Sequence, residues 1–308
     1  MSISKKQNLI GALLLLFATI SWGTSFFILK ETIKSVNELF VLAIRFLIAG
    51  ALLFLILYKK VVKADKKTYI HGLILGGILV SAYIVQTYGL KYTTPSRNAF
   101  LTSSYCVLVP FIAWALTKIA PKPYNVISAF LCIIGIGFVA FSNGAESGEN
   151  LLLGDGLTLI GAIFYALQII FICKFQENGD DASVLLVFQL LTVGVVCSIL
   201  SLLFELPKGL GGYSLNINQI LKIGYLTIVC TLFAQTAQIF GQKFTSPNQA
   251  SLILSLEAVF GTLFSVIFAN EELSVGLIIG FLIIFIAMII NELKIDPLIL
   301  LSGKKSIE

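Results

Sequence analysis

Amide and hydroxyl side chains that recur inside long apolar runs are the residues of this chain best suited to do chemistry. In the apolar run that begins near residue 220, Thr231, Gln235, Gln238 and Gln242 follow one another at steps of four, three and four residues. Those steps place the four side chains on one face of a helix. Because an amide group both donates and accepts hydrogen bonds, this stripe predicts a face that binds a polar solute or a neighbouring helix.

Other apolar runs carry polar and aromatic side chains at helical spacing, which predicts a shared cavity with an aromatic and amide lining. Such a lining suits a zwitterion or an amphiphile better than a polyanion, since a phosphate site would need several Lys or Arg side chains. The predicted substrate-binding residues are Trp22, Ser25, Tyr83, Gln86, Asn98, Thr102, Tyr105, Tyr165, Gln168, Thr231, Gln235 and Gln238. The alternative is that these groups only hold helices together, through bonds that contribute about 0.6 to 2 kcal/mol each. For the stripe near residue 220 the cavity is favoured.

Two charged side chains lie inside the apolar runs, and each has two open interpretations. Glu257 is the only carboxylate well inside a run, and a buried carboxyl group accepts a proton more readily than an exposed one. It is predicted either to take up and release protons as part of the protein's function or to be a hydrogen-bonded structural acid. Arg45 lies about seven residues into its run, where a long stem can reach the membrane interface. Anchoring or helix pairing is favoured for Arg45 over contact with a substrate carboxylate.

The composition identifies the elements that must position these groups. Of the 308 residues, 57% are apolar and 12% are charged, and the mean hydropathy is +0.97. These values exclude a soluble globular domain, and long continuous apolar runs exclude an outer-membrane barrel. The predicted fold class is an all-α polytopic membrane protein with ten transmembrane helices. The helices are placed at about 8–29, 38–58, 70–90, 97–117, 124–141, 154–173, 183–203, 220–241, 249–269 and 274–291.

The distribution of lysine and arginine predicts how the helices are oriented. With both termini in the cytoplasm, the cytoplasmic segments carry fourteen basic residues and the external segments carry six. Cytoplasmic loops are rich in basic residues, so this orientation is favoured, and the protein is expected in the cytoplasmic (inner) membrane. The asymmetry also explains the formal net charge of +5. No pattern of basic and aromatic residues indicates nucleic-acid binding.

The most specific pattern is an internal repeat. The segment Gln86–Pro95 recurs as Gln238–Pro247 with five identities in ten positions. Elsewhere Trp22, Ser25, Arg45 and Gly50 correspond in that order to Tyr165, Gln168, Gln189 and Gly194. The chain therefore contains one unit twice.

Each unit holds five predicted helices, an odd number, so the second copy must be inverted in the membrane relative to the first. The predicted organisation is a first repeat at 1–141, an external loop at 142–153, a second repeat at 154–291 and a cytoplasmic tail at 292–308. Inverted repeats support alternating access to a site near the midplane. A duplicated scaffold that transports nothing would show the same pattern.

Four short motifs stand at helix positions that these repeats define, namely Ser21–Phe26, Thr93–Pro95, Gly154–Gly156 and Leu256–Phe260. They resemble the drug/metabolite transporter superfamily, specifically its EamA-type members, and the resemblance covers about residues 8–291. It implies ten helices in two inverted halves and movement of small metabolites across the cytoplasmic membrane, often as export of amino acids or related compounds. Ala258 stands where the family often has proline, so no proline bend is implied there. The first helix also lacks the proton-coupling glutamate of the small multidrug-resistance relatives.

These observations predict a secondary transporter for a small organic metabolite such as an amino acid, with export as the expected direction. The alternative is a membrane ligand sensor or scaffold that transports nothing. No catalytic constellation or metal-ligand spacing indicates an enzyme or a metal site, and no cofactor is expected. His71 is interpreted as an interfacial residue. The expected partners are the solute and the lipid bilayer, with proton or ion coupling open and a monomer or homodimer as the assembly.

Overall fold

In the computed structural model of the protein, residues 5–118, 120–141, 150–209, 211–213, 215–245 and 247–292 are described. Within these ranges the chain forms helices and connecting segments, and no residue lies in a β-strand. The prediction of an all-α fold is confirmed. The α-helices are α1 (Lys5–Thr32), α2 (Glu38–Val61), α3 (Lys66–Tyr92), α4 (Pro95–Ser103), α5 (Tyr105–Thr117), α6 (Pro123–Phe141), α7 (Leu151–Glu177), α8 (Ala182–Leu200), α9 (Ile217–Thr227), α10 (Ala234–Gln242), α11 (Pro247–Ser255), α12 (Glu257–Ala269) and α13 (Val275–Glu292).

Eight helical segments in the described part of the chain are long and apolar enough to cross a bilayer. They are Lys5–Thr32, Glu38–Val61, Lys66–Tyr92, Pro95–Leu116, Leu151–Glu177, Ala182–Lys208, Ile217–Gln242 and Gln249–Ala269. Shorter apolar helices lie at Pro123–Val139 and Val275–Ile290. Helix is therefore present at each of the ten predicted positions, and the protein is a multi-pass membrane protein.

Two of the predicted spans are each divided into two helices. The span predicted at 97–117 breaks at Ser104, and the span predicted at 249–269 breaks at Leu256. The backbone angles at the two breaks are nearly equal, with φ −60° and ψ −12° at Ser104 and φ −62° and ψ −11° at Leu256. The same interruption therefore occurs once in each repeat. It makes Tyr105 and Glu257 the first residues of α5 and α12.

Two other boundaries also differ from the prediction. The span predicted at 220–241 is not one α-helix, because a π-helical segment at Ile228–Phe233 separates α9 from α10. Helix α7 begins at Leu151, so the last three residues of the predicted external loop are helical. Residues 142–149 of that loop and 293–308 of the predicted tail lie outside the described residues.

The last three α-helices of the first repeat, α4 to α6, begin at positions equivalent to the starts of α11 to α13 in the second repeat. Pro95 and Pro247 begin α4 and α11. Lys118 and Asn270 follow α5 and α12 in the left-handed conformation, with φ 62° and φ 50°, and both pairs are separated by the same number of residues. We call positions that correspond in this way repeat-equivalent.

Repeat-equivalent helices α2 and α8 pack against each other in opposite directions. Gly50 lies against Leu191, and Gly194 lies against Leu47, so the residue numbers rise along one helix as they fall along the other. A Cβ atom on Gly194 would lie 2.6 Å from the backbone nitrogen of Leu47. Glycine therefore permits the close approach of the two backbones, as small residues commonly do between membrane helices.

Replacement of Gly76 by alanine is expected to destabilise the contact between α3 and α8. A Cβ atom at position 76 would lie 2.4 Å from Cβ of Thr192, whereas one at the neighbouring Gly77 would meet no atom within 4 Å. Overpacking of this kind costs about 1 to 3 kcal/mol, so Gly76→Ala should lower the Tm of the detergent-solubilised protein. Gly77→Ala is the matched control and should leave the Tm unchanged or slightly higher, because alanine favours helix over glycine. Equal melting temperatures for the two variants would contradict the described packing.

Candidate functional site

A small cavity lies among helices of both repeats. Its volume is about 30 Å³, which is room for one or two water molecules at most, so the helices are closed around it. The lining residues come from α1, α3, α5, α7, α10, α11 and α12. They are Trp22, Ser25, Phe26, Tyr83, Gln86, Tyr105, Tyr165, Gln168, Ile169, Gln235, Gln238, Leu254 and Glu257.

Almost the whole lining consists of repeat-equivalent positions. Six pairs account for every described lining residue except Leu254. The pairs are Trp22 with Tyr165, Ser25 with Gln168, Phe26 with Ile169, Tyr83 with Gln235, Gln86 with Gln238, and Tyr105 with Glu257. One pair is in direct contact, because Gln235 Nε2 donates a hydrogen bond of 3.1 Å to the hydroxyl oxygen of Tyr83. The cavity therefore lies where the two repeats meet.

Hydrogen bonds hold the rings and amides of the lining in place. The Tyr165 hydroxyl donates to Gln86 Oε1 at 2.6 Å, and Gln86 Nε2 donates to Thr102 Oγ1 at 3.0 Å. Trp22 Nε1 donates to the carbonyl oxygen of Cys230 at 2.9 Å, which ties α1 to the π-helical segment. Such bonds are electrostatically stronger inside a protein than in water. The aromatic faces are therefore positioned before any solute arrives.

Two lining amides each keep one polar atom without a hydrogen-bond partner among the described residues. The atoms are Nε2 of Gln168 and Oε1 of Gln238, and the two residues are only 1% and 2% exposed. A buried polar atom without a partner costs about 1 to 3 kcal/mol, and such atoms are uncommon in native proteins. Two residues of the lining therefore each keep one hydrogen-bonding atom that the described residues do not use.

Glu257 brings a carboxylate to this lining. The residue is buried, and its Oε1 accepts a hydrogen bond of 3.4 Å from Ser103 Oγ. None of the described lining residues is Lys or Arg, and no salt bridge to Glu257 is found in the described part of the chain. Aromatic faces beside one carboxylate suit a positively charged group.

The structure brings nine of the twelve predicted substrate-binding residues to this cavity. The nine are Trp22, Ser25, Tyr83, Gln86, Tyr105, Tyr165, Gln168, Gln235 and Gln238. Their contact with a solute stays a prediction. What the geometry adds is that they surround one enclosed space.

The other three predicted residues, Asn98, Thr102 and Thr231, connect helices and do not line the cavity. Asn98 Nδ2 donates to Thr158 Oγ1 at 2.7 Å. Thr102 accepts the hydrogen bond from Gln86. All three are buried. For these residues the alternative interpretation, that polar groups hold helices together, agrees with the contacts.

Arg45 is buried and does not reach the membrane interface, so the expectation that its stem extends to that interface is wrong. It is 1% exposed, and its Nε donates to Thr231 Oγ1 at 3.0 Å. Its Cζ lies 5.6 Å from the centroid of the Tyr83 ring, and a cation over an aromatic face is stabilised. Arg45 therefore pairs helices and supports Tyr83 without lining the cavity.

A buried ion pair at one end of the bundle was missed by the sequence analysis. Arg97, which the charge count assigns to an external segment, is 1% exposed, and Asp155 is 4% exposed. Arg97 Nε donates to Asp155 Oδ1 at 3.2 Å, and its guanidinium also forms a salt bridge with Oδ2. Thr93 Oγ1 donates to the same carboxylate at 2.8 Å. Thr93 and Asp155 belong to two of the four motifs quoted above, and this was the signal available in the sequence.

The histidine and the cysteines of the chain do not line the cavity. His71 Nδ1 lies 2.6 Å from Asp180 Oδ2, and its ring stacks on Phe175 with the centroids 3.9 Å apart. The five cysteines are buried, and none of them is joined in a disulfide bond. Over the described ranges, no three His, Cys, Asp or Glu side chains are grouped as ligands of a metal ion.

The fold and the paired lining define a multi-pass helical membrane protein built from two copies of one unit. The EamA-like transporter family matches the chain twice, at residues 9–141 and 152–292. The chain belongs to this family, which confirms the resemblance found in the sequence motifs.

Similar proteins carry transporter names. A protein of Archaeoglobus fulgidus named an uncharacterized transporter is 29% identical over 289 residues, which are 94% of this chain and 88% of the relative. A mouse protein named solute carrier family 35 member F2 is 28% identical over 99 residues, which are 30% of this chain and 26% of that protein. A solved crystal structure aligns with a TM-score of 0.68 at 18% identity, over 96% of this chain and 99% of the other. The last similarity shows the fold alone.

A matched pair of substitutions is expected to distinguish side chains that hold helices together from side chains that line the cavity, by their effects on the Tm. Thr102→Val removes the acceptor of Gln86 Nε2 and should cost about 0.6 to 2 kcal/mol of stability, seen as a lower Tm. Gln168→Leu removes an amide whose Nε2 has no partner among the described residues, so it should leave the Tm unchanged or higher. A larger loss of Tm in Gln168→Leu than in Thr102→Val would show that these two roles are reversed.

Proposed function

We propose that this protein is a secondary transporter that moves a small organic solute, an amino acid or a related amphiphilic amine, across the cytoplasmic membrane by alternating access. The coarse function rests on membership of the EamA-like transporter family. The finer proposal rests on one observation, namely that six repeat-equivalent pairs enclose a single cavity lined by aromatic and amide side chains. A site shared equally by two halves can be exposed by either half moving against the other.

The proposed architecture is ten spans in two inverted five-helix halves, with both termini in the cytoplasm. The inversion is supported by the opposite directions of α2 and α8. These directions follow from the contacts of Gly50 with Leu191 and of Gly194 with Leu47. The shorter apolar helices within α6 and α13 supply the fifth span of each half. The excess of lysine in alternate segments supports the orientation. Export is the direction that the family resemblance implies.

The lining chemistry supports a solute that carries an ammonium group. Glu257 and the rings of Trp22, Tyr105 and Tyr165 offer a negative group and π faces, and both attract cations. A carboxylate on the solute would find the free Nε2 of Gln168 as a donor but no cationic side chain in the described lining. The ammonium group therefore contributes more to recognition than the carboxylate does.

Binding requires the helices to separate. A cavity of about 30 Å³ holds no molecule as large as an amino acid, so the structure represents a closed state of the proposed cycle. The protein is proposed to act as a monomer or homodimer without a cofactor and without catalysing a chemical reaction. Glu257 is proposed to take up and release the proton that drives transport.

Counterflow into proteoliposomes tests this function with a matched set of solutes. Vesicles loaded with unlabelled leucine should accumulate labelled leucine. The related 3-methylbutylamine, which lacks the carboxylate, should compete, and 4-methylpentanoate, which lacks the ammonium group, should not. Gln168→Leu should weaken leucine binding by about 3- to 30-fold, the equivalent of one hydrogen bond in a membrane protein, and Gly77→Ala should behave like the unsubstituted protein. Saturable binding without exchange would support the sensor or scaffold instead, and competition by the acid alone would contradict the proposed polarity.

The coupling role of Glu257 is tested by Glu257→Gln. An amide cannot take up the transported proton and no longer attracts the ammonium group, so the variant should retain counterflow with weaker solute binding while its uptake no longer responds to an imposed pH gradient. Glu177→Gln, which changes an exposed carboxylate, is the control and should respond to the gradient as the unsubstituted protein does. An unchanged response in Glu257→Gln would remove the coupling role.

A further inference from the structure

Both ends of the bundle are closed by the same backbone contact. At one end, Gly154 of α7 packs on α3, where a Cβ atom on it would lie 2.8 Å from the carbonyl oxygen of Gly89. At the other end, Gly11 of α1 packs on α10, where a Cβ atom would lie 2.9 Å from the carbonyl oxygen of Gly241. Gly89 and Gly241 are repeat-equivalent, and Gly11 stands to Trp22 as Gly154 stands to Tyr165. The two closures are therefore one contact used twice.

The side chains at the two closures differ in charge. Arg97 and Asp155 form a buried ion pair with Thr93 as a further donor to the carboxylate, and we call these three residues the Arg97 clasp. The repeat-equivalent of Arg97 is Gln249, and the position that matches Asp155 is Ala12. The second closure therefore has neither of the two ions.

The second closure is held by neutral groups, namely a pair of amides and a hydrogen bond of 3.2 Å that Asn8 Nδ2 also donates to the carbonyl oxygen of Phe244. Asn8 Nδ2 donates to Gln249 Oε1 at 2.7 Å, and Gln249 Nε2 donates back to Asn8 Oδ1 at 3.0 Å. We call this pair the Gln249 clasp. Both of its residues are only partly buried.

Additional bonds reinforce the charged end. Lys30 Nζ donates to the carbonyl oxygens of Leu90, Lys91 and Thr93 at 2.8 to 3.0 Å, which satisfies the carbonyl end of α3. Glu271, from the segment between α12 and α13, accepts from the backbone nitrogen of Ser96 at 3.1 Å and from its hydroxyl at 2.9 Å. These bonds join α1 to α3 and the α12–α13 segment to α4.

A second cavity lies at the charged end of the bundle. Its volume is about 340 Å³, and Lys30, Thr94 and Glu271 form part of its wall. A solute in this cavity would be in contact with the residues that hold the end closed. The second cavity is therefore lined by residues whose bonds join helices at the charged end.

We propose that the Arg97 clasp is the principal gate of the carrier and that the difference between the two clasps sets its resting conformation. The proposal rests on the proposed transport cycle. Hydrogen bonds between ions are about twice as strong as those between neutral groups. When the charged end opens, water hydrates Arg97 and Asp155, which offsets part of the difference in strength between the two clasps. The bonds of Lys30 and Glu271 must break at the same time, which adds to the cost of opening this end. The central cavity therefore opens first at the Gln249 end, which the lysine distribution assigns to the cytoplasm.

A thiol in the central cavity reports which end opens. Ser25→Cys places this thiol in the lining, and labelling by a small membrane-impermeant methanethiosulfonate is followed in right-side-out and inside-out vesicles. Lys34→Cys and Lys63→Cys, both at exposed lysines, mark the Arg97 side and the opposite side. The native cysteines are buried, and the protein without added cysteine gives their background labelling. Ser25→Cys should label faster from the side that Lys63→Cys marks.

Substitutions that exchange residues between the two clasps then test whether the clasps determine which end opens. Arg97→Gln with Asp155→Ala gives the charged end the neutral residues of the other end and leaves no ion unpaired. This double variant should raise labelling of Ser25→Cys from the Arg97 side by about tenfold, as a shift of about 1.4 kcal/mol would do. Ala12→Asp with Gln249→Arg places the ion pair at the other end and should lower labelling from that side by a similar factor.

The reversed pair Arg97→Asp with Asp155→Arg keeps the ions and is the matched control for the position of the substitutions. It should preserve the original preference more closely than the neutral pair does. Unchanged labelling from both sides in the folded neutral and transplanted variants, judged by their Tm, would overturn the gating role even if counterflow is intact. A changed side preference in these variants, together with no counterflow by the unsubstituted protein, would support the clasp and reject the proposed transport.

Discussion

A polar side chain inside a bilayer needs a partner or water, because hydrocarbon offers neither. This chain meets that constraint by collecting its intramembrane amides, hydroxyls and ions where its two repeats face each other. Tyr83 and Gln235, which occupy equivalent positions in the two copies, are hydrogen-bonded to each other. The outward surface carries exposed apolar residues such as Leu55, Ile56 and Ile133. The need to satisfy polar groups therefore locates the central cavity.

The polar side chains form two layers, one that lines the cavity and one that holds the surrounding helices together. The inner layer faces the cavity and contains buried amide atoms, at Gln168 and Gln238, that have no hydrogen-bond partner among the described residues. The outer layer, which includes Thr102, Thr231 and Arg45, is bonded to the inner layer or to its helices. A rigid outer layer allows the inner layer to keep unsatisfied atoms, since the cost of those atoms is balanced by packing elsewhere. Such an arrangement is suited to a site that is completed by a solute.

Much of this could be predicted from the sequence, because long apolar runs and a decapeptide repeat are strong signals. The runs identified each helical position, and spacing within them brought residues such as Gln86 and Gln235 to the correct face. The breaks at Ser104 and Leu256 were missed, since neither residue is a glycine or proline that would indicate an interruption. In the same way, the π-helical segment at Ile228–Phe233 leaves no mark in the apolar pattern.

Charged residues were the least predictable part. Arg97 lies close to a proline at the start of a helix, where lysine and arginine are usually in contact with water, so the charge count assigned it to an external segment. Its burial depends on Asp155, which lies in the other repeat, and no local pattern shows that the two meet. Arg45 was misplaced for a related reason, because the partner that keeps it inside is Thr231 on a distant helix. Contacts between side chains of the two repeats can be identified only from the three-dimensional structure.

The most direct test of the central claim is a structure of the protein in a lipid nanodisc with 3-methylbutylamine at saturating concentration. The account predicts solute density among Trp22, Tyr105, Tyr165 and Glu257, in a cavity several times larger than the present 30 Å³. Solute density only in the second cavity, beside Lys30 and Glu271, with the interface of the two repeats still closed, would contradict the account.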